Sequence, residues 1–292
     1  MAASGNILEI LRQVRDLPSL PQVVHRVMEV MDDARSSVKD VAKALEDDPA
    51  MTAKVLRISN SAYYGVRQEI TSVSFAISRM GFNEIRNLVV STGVLGAVKD
   101  RGTGSLDYER FWRHCLIVAL AAKVVHAKSP SAPAFSKTTE NPYFVAGLLH
   151  DIGILVLDQF MSTVYREVLD HVTTNMLVLQ EAEQAVLGSA HGDVGAFLCG
   201  RWNLPDNVRK TVLGHHAPQD VPEIHRTFVQ VVHVADALAH EQGYGEIDGQ
   251  APMTVDPDVL DDLGLDEAKL NAIRGELKGL VEHSETLRLL MS

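Results

Sequence analysis

Histidine and aspartate recur in this chain where nearly every neighbour is apolar. The stretch "GLLHDIGILVL" (147–157) sets His150 and Asp151 side by side in a greasy run. "FWRHCLIVALAAKVV" holds His114, "SAHGDVGAFLCGRW" holds His191, and "VLGHHAP" holds His215 and His216. "VVHVADALAH" places His233 and Asp236 on one helical face, with His240 a turn further. An ionised carboxylate buried alone is very costly, so Asp151 must be paired, neutralised or bound to a metal. A single histidine on an apolar helix is more often a hydrogen-bonded core residue than a ligand. Five such segments in one chain point instead to a shared metal site. Imidazole and carboxylate without thiolate suit Fe, Mn, Ni or Zn, and helix bundles hold such sites in their cores. The sequence has no P-loop, no GxGxxG after a strand, no CxxC and no GxSxG.

The elements that must position these groups read as helices. Phe144–Leu157 holds only two clearly polar side chains, His150 and Asp151, and reads as one buried core helix, too short to cross a bilayer. On such a helix the two neighbours point about 100° apart and could reach one ion only at a cavity edge. Gly195, one turn after His191, permits close helix packing. "LPSLPQVVHRVMEVM" predicts a helix with Val23, Val27, Val30 and Met31 on its apolar face, and "SSVKDVAKALEDDP" a serine-capped helix with Val38, Val41, Ala42 and Leu45 inward. No convincing alternating strand occurs, and aromatics are sparse while Ala, Val and Leu dominate. The expectation is an all-α fold. His25, His126, His171, His225 and His283 sit in polar contexts and are expected at the surface, without chemistry.

Charge divides the chain. Residues 1–105 carry 13 Lys and Arg against 12 Asp and Glu, whereas 106–292 carry 14 against 26. An acidic total of −11 disfavours nucleic acid as a partner, since that affinity rests on neutralising phosphates. Only Lys54, Arg57, Arg79 and Arg86 offer a local basic face. "KDRGTGSLDY" near residue 104 is the best boundary by composition. The reading is an N-terminal helical lobe (1–105), a helical core (106–240) and a C-terminal helical extension (241–292). No secretory signal or transmembrane stretch is expected. Cys115 and Cys199, both in apolar settings, are expected as buried free thiols, which suits a cytoplasmic home.

The order His114, His150-Asp151, His191, His215-His216, Asp236 resembles the HD superfamily of metal-dependent phosphohydrolases. "LPSLP" (17–21), "DDPAMTAKVLRISNSAYYG" (47–65), "ITSVSFAISRMGFNEIRNLVVS" (70–91) and "FWRHCLIVALAA" (111–122) narrow it. Over residues 15–240 the chain resembles the HDOD domain, a bacterial signalling output relative of HD-GYP proteins. That resemblance implies an HD-type helical core with an N-terminal lobe. It also implies two divalent ions, one held by His114, His150, Asp151 and Asp236, the other by Asp151, His191, His215 and His216. Asp151 bridges and, in an active enzyme, would act with a metal-activated water. His233 is expected behind the ligands, and Arg113 as a phosphate contact.

Two departures stand out. HD-GYP phosphodiesterases carry lysine in "HDIGK", where this chain has Ile154, and a GYP motif after the paired histidines, where it has "HHAPQDVPEIHR". The resemblance therefore implies a signalling output protein acting through protein partners or a nucleotide ligand. The alternative is an active phosphohydrolase on a nucleotide or other phosphoester.

Overall fold

Capping side chains fix where many of the helices begin. Ser37 and Asp40 form a reciprocal capping box, Asp48 accepts from the Met51 amide ahead of Pro49, Ser72 accepts from Phe75, and Asp107 from Arg110. The computed structural model describes residues 16–61, 64, 68–98, 102, 104–132 and 143–282, with residues 7, 9 and 14. Among these every regular element is helical.

The described residues fall into two units, one of 18–98, the other holding 104–132 and 143–278. The first contains α1 (Gln22–Asp32), α2 (Val38–Glu46), α3 (Pro49–Ser59), α4 (Val73–Met80) and α5 (Phe82–Ala97). In α1 the buried face is Val23, Val24, Val27 and Met28; Val30 and Met31 are half-buried, so the stripe keeps Val23 and Val27 but is turned toward Val24 and Met28. In α2 Val41, Ala42 and Leu45 turn inward with Ala44, while Val38 is half-buried. Asn60 ties the chain after α3 to the Ile70 backbone, accepting at 2.7 Å and donating at 2.8 Å. Arg86 is nearly buried and pairs with Asp32 at 2.6 Å, so it adds nothing to a basic surface.

The second unit contains α6 (Tyr108–Lys128), α7 (Tyr143–Leu149), α8 (Ile152–Phe160), α9 (Ser162–Asn175), α10 (Leu179–Leu187), α11 (His191–Arg201), α12 (Asp206–Gly214), α13 (Glu223–Glu241), α14 (Pro257–Leu263) and α15 (Glu267–Glu282). The apolar run expected as one helix is in fact two. Tyr143–Phe160 is long and apolar enough to cross a membrane, yet 94% of it is buried inside the protein, and it breaks at His150-Asp151. His150 donates from Nδ1 to the Gly147 carbonyl at 2.7 Å, satisfying an acceptor that the end of α7 leaves open. Residues 241–278, read from sequence as an extension, pack in the same unit as the helices before them. Val259, Leu263 and Ile273 are buried, and Gln230 of α13 donates to Asp262. Both cysteines are buried and free, and burial pushes the Cys199 thiol up to about 12.

α8 and α11 touch through glycine. A Cβ on Gly153 would collide with the His191 carbonyl oxygen, and one on Gly195 would lie 3.1 Å from the Gly153 nitrogen. This contact holds the start of α11 against the α7–α8 break. Gly153→Ala must push the backbones apart, at about 1–3 kcal/mol. Its thermal unfolding midpoint is expected to fall by about 5 °C; an unchanged midpoint would contradict the contact.

Candidate metal centre

The break between α7 and α8 solves a geometric problem. Neighbours in a continuous helix diverge, but in this turn His150 Nε2 and Asp151 Oδ2 stand 3.2 Å apart. α6 delivers His114, the start of α11 His191, the end of α12 His215 and His216, and α13 Asp236. His114, His150, Asp151, His191, His215 and Asp236 are all buried and His216 is half-buried.

Hydrogen bonds on the far side of each ring fix its tautomer. Carbonyl and carboxylate oxygens only accept, so a ring nitrogen facing one carries the proton. His114 Nδ1 donates to the Tyr244 carbonyl at 2.7 Å, His150 to Gly147, and His215 to Val212 at 3.1 Å. His191 Nδ1 donates to Glu183 Oε2 at 2.7 Å, and its backbone amide donates to the same oxygen at 2.8 Å. Each neutral ring therefore turns an Nε2 lone pair inward. Those lone pairs meet, His114 and His150 at 3.2 Å and His191 and His215 at 3.4 Å, and His216 Nε2 stands 3.0 Å from His191 Nε2. Lone pairs facing one another repel unless a cation sits among them.

The spacing says which cation fits. Four ligands around an ion at roughly 2.0–2.1 Å stand about 3.3 Å apart. His114 Nε2 lies 3.5 Å from Asp151 Oδ2 and 3.3 Å from Asp236 Oδ1, and His150 Nε2 lies 3.6 Å from Asp236 Oδ1. Asp151 Oδ1 lies 3.2 Å from His191 Nε2 and 3.3 Å from His215 Nε2. One quartet results from His191, His215, His216 and Asp151 Oδ1. Beside it His114, His150 and Asp151 Oδ2 form a triad, which Asp236 extends to a quartet through His114 and His150. Asp151 Oδ1 and Asp236 Oδ1 are buried and make no hydrogen bond. Orphaned anionic oxygens beside converging lone pairs suit a divalent ion.

Electrostatics carry the same message. Burial opposes charge on His114 and His150, but the surrounding carboxylates overcome it and push these rings up to about 9 and about 10. Burial also opposes ionisation of Asp151 and Asp236, yet the neighbouring histidines hold both carboxyls well below the usual range. Burial, reinforced by the other imidazoles, keeps His216 well below its ordinary value. Without ions, protons must supply the positive charge this pocket demands.

Several participants lie outside the expected ligand set. Glu183 is fully buried on the apolar face of α10, where it orients His191 and accepts from the Tyr165 hydroxyl at 2.9 Å. Its lodging among Leu179, Ala182 and Leu187 was a readable signal. His240 lies 3.4 Å from Asp236 Oδ1, and Glu246 reaches in from the loop after α13. Carboxylates behind ligating histidines typically contribute about 10–100-fold in metal affinity. Glu183→Gln is expected to weaken the ion of the His191 quartet by about that factor in a competition titration; an unchanged affinity would remove Glu183 from the account.

Other residues lie behind the ligands or away from them. His233 donates from Nδ1 to the His215 carbonyl at 2.7 Å, fixing the end of α12, and its Nε2 is buried without a partner. Arg113 is exposed on α6, with its guanidinium 5.2 Å from the centre of the Tyr244 ring. His225 bonds Asn207 and Asp206, His126 packs against Tyr143, and His283 lies outside the described residues.

A cavity of about 190 Å³ opens onto Asp151, His191, His216, Asp236 and His233. Val178–Gln180 and Gln250–Thr254 wall it, and among the described residues no Lys or Arg lines it. It is smaller than the roughly 300–1,000 Å³ of pockets that enclose drug-sized ligands.

The HDOD domain family model matches residues 17–218. A solved HDOD domain protein of unknown function from Geobacter sulfurreducens is 26% identical, with a TM-score of 0.79 over 97% of this chain and 95% of that one. A signal-transduction candidate from Marinobacter aquaeolei VT8 shares the fold at 23% identity and a TM-score of 0.75, covering 95% of this chain and 60% of its own. A candidate phosphohydrolase from Shewanella amazonensis SB2B does so at 22% and 0.73, covering 96% and 97%. An uncharacterized protein of Treponema pallidum (strain Nichols) is 25% identical over 83% of this chain, which spans 45% of that relative's length.

Proposed function

The chain belongs to the HDOD domain family, and we propose that it is a bacterial signal-transduction output protein, cytoplasmic, holding two transition-metal ions and acting through protein or ligand binding. The first ion is assigned to His114, His150, Asp151 and Asp236, the second to Asp151, His191, His215 and His216. Fe, Mn, Ni or Zn suits this donor set. The observation that carries the reading is the convergence of these side chains on Asp151, with neighbouring ligand atoms 3.0–3.6 Å apart and orphaned carboxylate oxygens among them.

The rest of the pocket supports binding rather than turnover. Ile154 is fully buried where HD-GYP enzymes carry lysine, and among the described residues no Lys or Arg lines the cavity. A transferring phosphoryl group spreads charge over its outer oxygens and needs such donors. The cavity is also too small to enclose a dinucleotide. The ions would supply positive charge and Lewis acidity; His114, His150, His191 and His215 would orient them through their Nδ1–H bonds. Nucleic acid is not proposed as a partner.

A second reading has one observation in its favour: the cavity reaches Asp151 itself. A small phosphomonoester could enter where a dinucleotide could not. Metal-loaded protein assayed against phosphomonoesters and cyclic dinucleotides is expected to show no turnover. Hydrolysis that disappears in Asp151→Ala would replace the binding reading with the phosphohydrolase.

A further inference from the structure

The loop from Gln242 to Thr254 lies beyond the stretch matched by the family model, yet it reaches into the centre at two points. The Tyr244 carbonyl accepts from His114 Nδ1 and so turns His114 Nε2 toward the first ion's position. Two residues on, Glu246 is 5% exposed, and its Oε2 is buried without a hydrogen bond, 3.6 Å from that same Nε2. This separation matches the ligand-to-ligand edges within the first quartet.

The remaining contacts of Glu246 aim it. The Gln250 side-chain nitrogen donates to Glu246 Oε1 at 3.1 Å and stands 3.2 Å from His240 Nδ1. An atom facing a carboxylate at that distance must be the amide donor, so His240 Nδ1 accepts and the ring's proton sits on Nε2. That nitrogen lies 3.0 Å from Glu246 Oε2 and 3.4 Å from Asp236 Oδ1, facing both carboxylates. His240 is therefore a positioning residue between two acids, and it takes up one side of Glu246 Oε2, whose second lone pair is left for an ion. The loop is pinned elsewhere too: Arg110 donates to the Gly245 carbonyl at 2.7 Å and pairs with Asp248, and the Ala251 amide donates to the Leu177 carbonyl at 3.1 Å.

We propose that Glu246 is a further ligand of the first ion, so that metal loading fastens the 242–254 loop over the cavity. The inference rests on the two-ion reading and extends it. Ion and loop then stabilise each other, because a carboxylate held at the ion lowers the free energy of the closed loop only while the ion is bound.

The test combines metal competition titrations and amide hydrogen exchange on the full chain, wild type and Glu246→Gln, loaded with Zn²⁺ or stripped. Glutamine keeps the shape and the link to Gln250 but lacks the charge. The expected result is one ion held about 10–100-fold more weakly in the variant with the other unchanged. Exchange over 242–254 should be slowed at least tenfold by metal in wild type and not in the variant, while α9 behaves alike in both. Equal affinities in the two proteins, with loop exchange indifferent to metal, would overturn the proposal and leave the two-ion reading standing. Wild type that binds no ion would overturn both.

Discussion

Stripped of its ions by a chelator, the protein is expected to unfold about 10 °C below its metal-loaded form, and adding back a transition metal restores the difference. An ion that binds only the folded chain stabilises it by about 2.7 kcal/mol when present at 100 times its dissociation constant. Two such ions give roughly 5 kcal/mol, and for a domain of about 150–250 residues each kcal/mol moves the midpoint by about 2–4 °C. The sign follows from the electrostatics. Stripping leaves Asp151, Asp236 and Glu246 buried against imidazoles that must collect protons to compensate. Magnesium or calcium should restore little, because both favour oxygen-rich shells over imidazole. Identical melting curves with and without chelator would contradict the assignment.

Asp151→Ala should abolish binding of both ions rather than one. No other side chain enters both quartets: Oδ2 faces His114 and His150, while Oδ1 faces His191 and His215. Truncation removes two ligand atoms and the charge between the ions, so each affinity should fall by at least about 100-fold, beyond what loss of an outer-shell partner costs. The variant's melting midpoint should then stop responding to metal or chelator. His216→Ala, which touches only the second quartet, should lose one ion and retain the other. A variant at Asp151 that keeps either ion at full affinity would break the bridging assignment.

Much of this centre was legible because its residue types are out of place. Imidazoles and carboxylates on helices that are apolar nearly all round must be satisfied by something, and the all-helical fold follows from the same apolar spacing. The misses have physical causes. His150-Asp151 reads as mid-helix because no proline marks the break; the structure ends α7 there, and the open carbonyl at that buried end is satisfied by His150 itself. Arg113, expected at a phosphate, is exposed on α6, because successive helical residues diverge by about 100° and His114 takes the inward face. Glu183 could have been found, since a charge sits on the apolar stripe of α10. Glu246 could not: "GYGEIDGQ" is a polar loop with nothing to distinguish its acids, and only tertiary structure carries one of them to His114.

The most direct test of the metal centre is elemental analysis of the wild-type chain purified without chelators or an affinity tag. Close to two transition-metal ions per chain is the predicted content. Protein with no bound metal, which still takes up none when Zn²⁺, Mn²⁺, Fe²⁺ or Ni²⁺ is supplied in excess, would contradict the account; the buried histidines and carboxylates would then be a proton-filled relic of a metal site.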